Sequence, residues 1–241
     1  MRKRLIFLLS AVVQVAALLS AQEPAVTRLT GDQVMANLVR AFEPVRDFSV
    51  SIEAEVNLDR LQVPSMTATL YFKRPNKIFL ESPGFAMVPR EGIVVNPEVL
   101  RQQFEARVEG VEGKGGEARV RLRLLSRDVT AGRRQVLLWV NPANWTVTRT
   151  ESVPYEGRSV ETQIEYAHVD GTYWLPQRMT TVMKAEAADS SNLGMLGEAP
   201  GGQQLSEMRR APRTGTVTVQ YKDYRVNTGL SDDLFQPHGK E

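Results

Sequence analysis

The sequence predicts a mainly β protein with a few helices, an α+β fold built on one large antiparallel sheet that curls. Three observations carry this. Segment after segment alternates apolar and polar residues with a period of two, which gives each strand one buried and one wet face. These segments recur at about ten-residue spacing with turn residues between them, as in a meander. Only residues 30–44 show long helical spacing, too little to cover such a sheet fully.

The helix comes first. Thr30 and Gln33 form a capping box, with the threonine oxygen reaching forward and the glutamine reaching back. Val34, Leu38, Ala41 and Phe42 make one apolar stripe, and Pro44 closes the segment. From Phe48 the period changes to two. Phe48, Val50, Ile52, Ala54, Val56 and Leu58 alternate with Ser49, Ser51, Glu53, Glu55 and Asn57. A turn is expected at Pro64. Met66, Ala68, Leu70 and Phe72 then alternate with Thr67, Thr69, Tyr71 and Lys73, and Arg74-Pro75-Asn76 turns the chain into Lys77–Glu81.

Residues 83–104 break the pattern with Pro83, Gly84, Pro89, Gly92 and Pro97. The stretch is unusually apolar for a loop, through Phe85, Met87, Val88, Ile93, Val94 and Val95, and is read as inner cover for the sheet. Pro97 to Phe104 is a short helix opened by proline. Strands resume near Phe104, and Lys114-Gly115-Gly116 makes a turn. Val120, Leu122 and Leu124 then alternate with Arg119, Arg121 and Arg123. That arginine ladder is the solvated face of a strand or a polyanion site, and a net charge near zero favours the former.

A meander follows: strand Gln135–Val140, turn Asn141–Asn144, strand Trp145–Val153, turn Tyr155–Arg158, strand Ser159–His168. Asp170-Gly171 is a strong hairpin signal before the strand from Tyr173 to Lys184. Residues 185–213, rich in Gly, Ala, Ser, Pro and Gln, are expected to be a flexible insertion. Thr216–Tyr224 is the last strand. The tail is expected to dock Leu230, Leu234 and Phe235 on the sheet edge, with Ser231 and Asp232-Asp233 as turn or helix-start chemistry rather than a carboxylate pair.

Residues 1–21 have the tripartite form of a secretory signal peptide: Arg2, Lys3 and Arg4, an apolar run from Leu5 to Leu19, then Ser20 and Ala21. Residues 22–241 are then one domain, long enough to bury roughly 70% of its extended surface. An uncleaved anchor is the alternative, with Gln14 interrupting the run. The leader also accounts for the formal charge of +2 and the pI near 8.9. The 30 Lys and Arg fall to 27 when Arg2, Lys3 and Arg4 are removed, against 28 Asp and Glu. Nothing in this balance supports a nucleic-acid surface.

The catalytic inventory is thin. The chain has no cysteine, which excludes disulfides, thiolate metal sites, cysteine nucleophiles and a lipid-modified N-terminal cysteine. His168 shares parity with the apolar face at a strand end and reads as a hydrogen-bonded structural histidine; His238 lies in the terminus. No nucleophile elbow, Walker sequence or dinucleotide-binding glycine motif occurs. A secreted hydrolase is the weakest reading, and no cofactor or metal is expected.

The positive signal is architectural. A curled sheet incompletely filled by its cover leaves an apolar cavity. The candidate lining is Phe48, Val50, Ile52, Val56, Met66, Leu70, Phe72, Ile78 and Leu80 from the first strands. Val160, Ile164, Tyr166, Met179, Met183, Val217, Val219 and Tyr221 complete it from the last. The methionines suit irregular ligands. The candidate lid is Val34, Leu38 and Phe42 of the helix with Phe85, Met87 and Val88 of the apolar loop. Against this stands the plain alternative that all of these residues fill a solid core.

The ordered set of segments resembles a known family. LYFKRPNKIFLE (70–81) resembles the strand–Arg-Pro–strand hairpin of LolA-like outer-membrane lipoprotein-sorting proteins. LLWVNPANWTVTRTE (137–151), VDGTYWLPQRM (169–179) and DYRVNTGLSDDLF (223–235) are similar to later segments of that group, in order. The resemblance implies a half-open antiparallel β-barrel covered by helices, with a hydrophobic cavity for acyl chains. It implies a periplasmic carrier of lipoproteins or lipids, monomeric, served by an inner-membrane transporter and an outer-membrane acceptor. A sensor or regulatory interaction protein on the same scaffold is the alternative. The resemblance also implies an arginine that holds the lid shut, for which Arg60, Arg74 and Arg90 are the candidates.

Overall fold

The computed structural model describes residues 29–58, 61–82, 93–128, 130, 135–152, 158–185 and 214–236. The expected signal peptide, the insertion 185–213 beyond its first residue, the lid residues Phe85, Met87 and Val88, and Arg60, Arg90 and His238 lie outside them.

The helix α1 (Gly31–Phe42) starts where the capping box places it. Gln33 N–H donates to Thr30 Oγ1 at 3.2 Å, and Thr30 N–H donates to Gln33 Oε1 at 2.9 Å. The remaining elements are β1 (Asp47–Leu58), β2 (Leu61–Lys73), β3 (Lys77–Glu81), α2 (Pro97–Gln103), β4 (Phe104–Glu112), β5 (Arg119–Ser126), β6 (Gln135–Asn141), β7 (Thr146–Ser152), β8 (Arg158–Val169), β9 (Tyr173–Ala185) and β10 (Gly215–Val226). The helix α2 carries proline at its start, as expected, and Asn96 caps it by accepting from Glu98 N–H at 3.0 Å.

The strands form one ten-stranded sheet in the order β3-β2-β1-β10-β9-β8-β7-β6-β5-β4. Its ladders are antiparallel throughout, and its two edges, β3 and β4, do not meet. This is the half-open architecture that the resemblance implies. Residues 61–73 hold one correction. Pro64 sits inside β2 rather than in a turn, where Pro64 and Ser65 together oppose Glu55 across a bulge. β3 pairs with Thr69–Lys73, so among the described residues no strand lies outside Pro64 to require its missing N–H.

Two core clusters line the concave face. One sits under α1, where Val34, Met35 and Leu38 pack on Val120, Leu122 and Leu124 of β5, Leu138 and Val140 of β6, and Val147 of β7. Burying each of the three helix side chains contributes about 1.5–3 kcal/mol. The other is built from β1, β2, β8, β9 and β10 with Val45 and Ile93. The outer face holds the arginine ladder, where carboxylates pair with Arg121 and Arg123 while Arg119 donates to the Gly116 and Ala118 carbonyls at 3.0 and 2.8 Å. Arg121 pairs with Glu109 at 3.1 Å and Glu112 at 2.6 Å, Arg123 with Glu109, and Arg149 with Glu161 at 3.0 Å. The polyanion reading therefore falls away.

The tail lies against the edge strand β3, and the contacts that fix it there are polar. Asp232 Oδ1 lies 2.6 Å from Lys73 Nζ and 3.0 Å from Lys77 Nζ, and Lys73 also donates to the Leu230 carbonyl at 2.7 Å. The hydrogen bonds from Lys73 and Lys77 hold the Asp232 carboxyl below its ordinary range. Charge and a short strand together blunt this edge.

Candidate functional site

The two core clusters meet at an apolar cleft in the middle of the concave face. Leu38, Ala41 and Phe42 of α1 form one wall, and Ile93, Val94, Val95 and Pro97 lie beside them. Phe48, Tyr221 and Tyr224 form the floor on the β1–β10 side. Asn144, Trp145, Thr146 and Val147 come from the β6–β7 turn and the start of β7, and Tyr166, Trp174, Leu175 and Pro176 from the β8–β9 hairpin.

The tyrosine hydroxyls are spent on the protein itself. Tyr166 donates to the Val147 carbonyl at 3.1 Å, Tyr221 to the Ile93 carbonyl at 2.8 Å, and Tyr224 to the Pro176 carbonyl at 2.7 Å. Burial raises the pKa of all three phenols, so they stay neutral. Thr146 Oγ1 donates to Asn144 Oδ1 at 2.8 Å. What faces the cleft is therefore mostly ring and aliphatic carbon. Its free volume is about 40 Å³. A water needs roughly 10–15 Å³ on this measure, so the space holds a few waters at most. An acyl chain therefore needs one wall of the cleft to give way.

The predicted lining residues divide in three. Phe48, Tyr166 and Tyr221 line the cleft, with Leu38 and Phe42 from the predicted lid. Val50, Ile52, Val56, Leu70, Phe72, Ile164, Met179, Val217 and Val219 are buried in the second cluster, away from the cleft, and Met66, Ile78, Leu80 and Met183 pack half-buried against it. Val34 is buried beneath α1. Val160 lies on the same strand as Ile164 and Tyr166 but is 39% exposed. The wall residues that sequence reasoning left out, Trp145, Trp174, Leu175 and Pro176 among them, come from turns and strand ends, where alternation carries little information. Asn-Pro and Asp-Gly marked the turns but not what they face.

His168 departs from its expected place. It is exposed and stacks on Trp174, with ring centroids 4.8 Å apart, and Trp174 is itself 42% exposed. Between Glu165 and Tyr166 the β8–β9 register shifts, with Gln177 as the extra residue. Beyond it the simple parity from Ile164 to His168 no longer tracks burial.

Of the three candidate lid arginines, Arg74 is the one within the described residues. It sits in the β2–β3 turn and joins both helices. Nη1 donates to the Glu43 carbonyl at the end of α1 at 2.8 Å, and Nη2 pairs with the Glu98 carboxylate in the first turn of α2. Asn96 adds a bond from Nδ2 to the Pro75 carbonyl at 2.7 Å. A guanidinium suits this position because its fork serves two acceptors at once.

No protein-family model matches this chain, and no curated protein does. Solved structures do. A Vibrio parahaemolyticus domain described as an outer membrane lipoprotein-sorting protein superposes with a TM-score of 0.56 at 13% identity, over 85% of this chain and 95% of that one. A LolA superfamily protein from Nitrosomonas europaea gives 0.53 at 14% identity, over 86% and 98%. A DUF1329 family protein from Desulfovibrio piger gives 0.55 at 12% identity, over 86% and 98%. At these identities the likeness is one of fold: the chain has the open, helix-covered sheet of LolA-superfamily structures.

Proposed function

We propose that this protein is a periplasmic carrier that holds the acyl chains of a lipoprotein or lipid in the cleft and shuttles them toward the outer membrane. The observation that carries this reading is the cleft itself: apolar walls at the centre of the concave face, with each tyrosine hydroxyl turned onto a backbone carbonyl. Such a site rewards removal of hydrocarbon from water and offers a polar substrate little. Each buried CH₂ gains about 0.8 kcal/mol, so a long chain gains on the order of 10 kcal/mol. Association and ordering take back several kcal/mol.

In this reading residues 1–21 direct export and residues 22–241 act as one monomeric domain. An inner-membrane transporter loads it and an outer-membrane acceptor unloads it. The fold shared with a lipoprotein-sorting domain supports the assignment. The test is native mass spectrometry of protein purified from periplasm, together with uptake of a fluorescent fatty acid. A co-purified lipid and saturable uptake are expected. Protein that carries no lipid and takes up no fatty acid would refute the proposal.

A further inference from the structure

The β8–β9 hairpin stands partly apart from the sheet. Among the described residues the β7–β8 ladder has three rungs, Arg149–Gln163, Thr150–Thr162 and Glu151–Glu161. On the other side the β9–β10 ladder stops at Arg178–Gln220. From Tyr166 to Pro176 the ladder partners of the hairpin, among the described residues, are its own two strands. Bulges mark the point of departure: Gln177 in β9, and Thr148 in β7 against β6. A bulge bends its strand and strengthens the local twist, so the ends of β7 and β8 part here.

Side chains tie this arm down. Tyr166 spans the seam to the Val147 carbonyl, Tyr224 holds the Pro176 carbonyl, and Asn227 Nδ2 donates to Tyr173 Oη at 2.9 Å. Leu175 is buried in the core behind it. The opposite wall is held more firmly. α1 has Val34, Met35 and Leu38 fully buried, a capping box, and Arg74 at its exit. The arm supplies Tyr166, Trp174, Leu175 and Pro176 to the cleft wall, and Trp174 is exposed at its side.

We propose that the Tyr166–Pro176 arm is the gate of the cleft: a fatty acyl chain passes through the seam between β7 and β8, past Trp174, while α1 stays in place. This rests on the carrier reading above. Opening the seam also supplies the room that the closed cleft lacks.

The chain has no cysteine, so paired spin labels can be placed without background. Thr172→Cys at the arm tip with Ala143→Cys in the β6–β7 turn reports on the arm. Arg40→Cys on α1 with Ala143→Cys reports on the helix. All three positions are exposed. Distances are measured by pulsed electron paramagnetic resonance with and without palmitate, and native mass spectrometry verifies that palmitate is bound. The arm pair is expected to shift and the α1 pair to stay. Tyr166→Phe, which keeps the ring and loses the bond to Val147, is expected to raise the palmitate uptake rate about 2- to 10-fold.

A shift in the α1 pair, a static arm with palmitate bound, or an unchanged Tyr166→Phe rate overturns the gate and leaves the carrier reading standing. Wild-type protein that binds no palmitate, and none of the fluorescent fatty acid either, refutes the carrier reading, and the gate falls with it.

Discussion

Among the described residues, Arg74 is the side chain that joins the β2–β3 turn to both helices, so its removal has a calculable cost. Its two contacts are a hydrogen bond to the Glu43 carbonyl at 2.8 Å and the ion pair with Glu98. Hydrogen bonds to a charged group contribute about 1.5–3 kcal/mol each when buried. Here the side chains are 26% and 21% exposed, so solvent screening lowers each to about 1 kcal/mol. Arg74→Ala should therefore cost about 2 kcal/mol. For a domain of this size that is a fall in Tm of about 4–8 °C. Arg74→Lys should cost about half as much, because a single ammonium serves one of the two acceptors well. Chemical denaturation reads the global loss. Amide hydrogen exchange reads the local one at Glu43 and Val45, whose N–H groups bond to the Arg40 and Phe42 carbonyls. An Arg74→Ala variant within about 0.5 kcal/mol of the parent, with these two amides unmoved, would show that the arginine does not hold the helices.

Two further predictions concern packing and pH. Gly31 begins α1 so close to β4 that an added Cβ would lie 1.9 Å from the Ala106 carbonyl oxygen. Gly31→Ala must push helix and strand apart and should cost about 1–3 kcal/mol or more. Gly116→Ala, with nothing within 4 Å of its Cβ, should be close to neutral, and equal midpoints for the two variants in denaturant would refute the argument. Tyr166, Tyr221 and Tyr224 have pKa values raised by burial. Their contribution to stability is complete below the unfolded tyrosine value of about 10 and is lost as pH rises beyond it. Of the six tyrosines, these three should ionise only with cooperative alkaline unfolding. Absorbance at 295 nm showing all six titrating near pH 10, with unchanged circular dichroism, would contradict this.

Most of the sheet was legible because alternation is a local signal. The apolar parity of Phe48 to Val56 in β1 and of Val120 to Leu124 in β5 is also their buried parity. The helix start at Thr30 was legible for the same reason, since a capping box spans only four residues. Pro64 was misplaced because a proline in an edge bulge and a proline in a turn look alike without knowledge of the neighbouring strand. His168 was misplaced because a bulge on the partner strand reset its surroundings. Arg74 stayed one of three candidates, since choosing among them required the positions of the α1 exit and the α2 start.

Composition and periodicity by themselves determined that this chain folds as one-faced antiparallel strands with a capped helix, without thiol chemistry. Those properties depend on residues within a few positions of one another. The tertiary structure decided where the apolar faces fail to close over one another, which strand ends part, and which turn residues border the cleft. These follow from register, bulges and twist summed over ten strands, and no short window of sequence contains them.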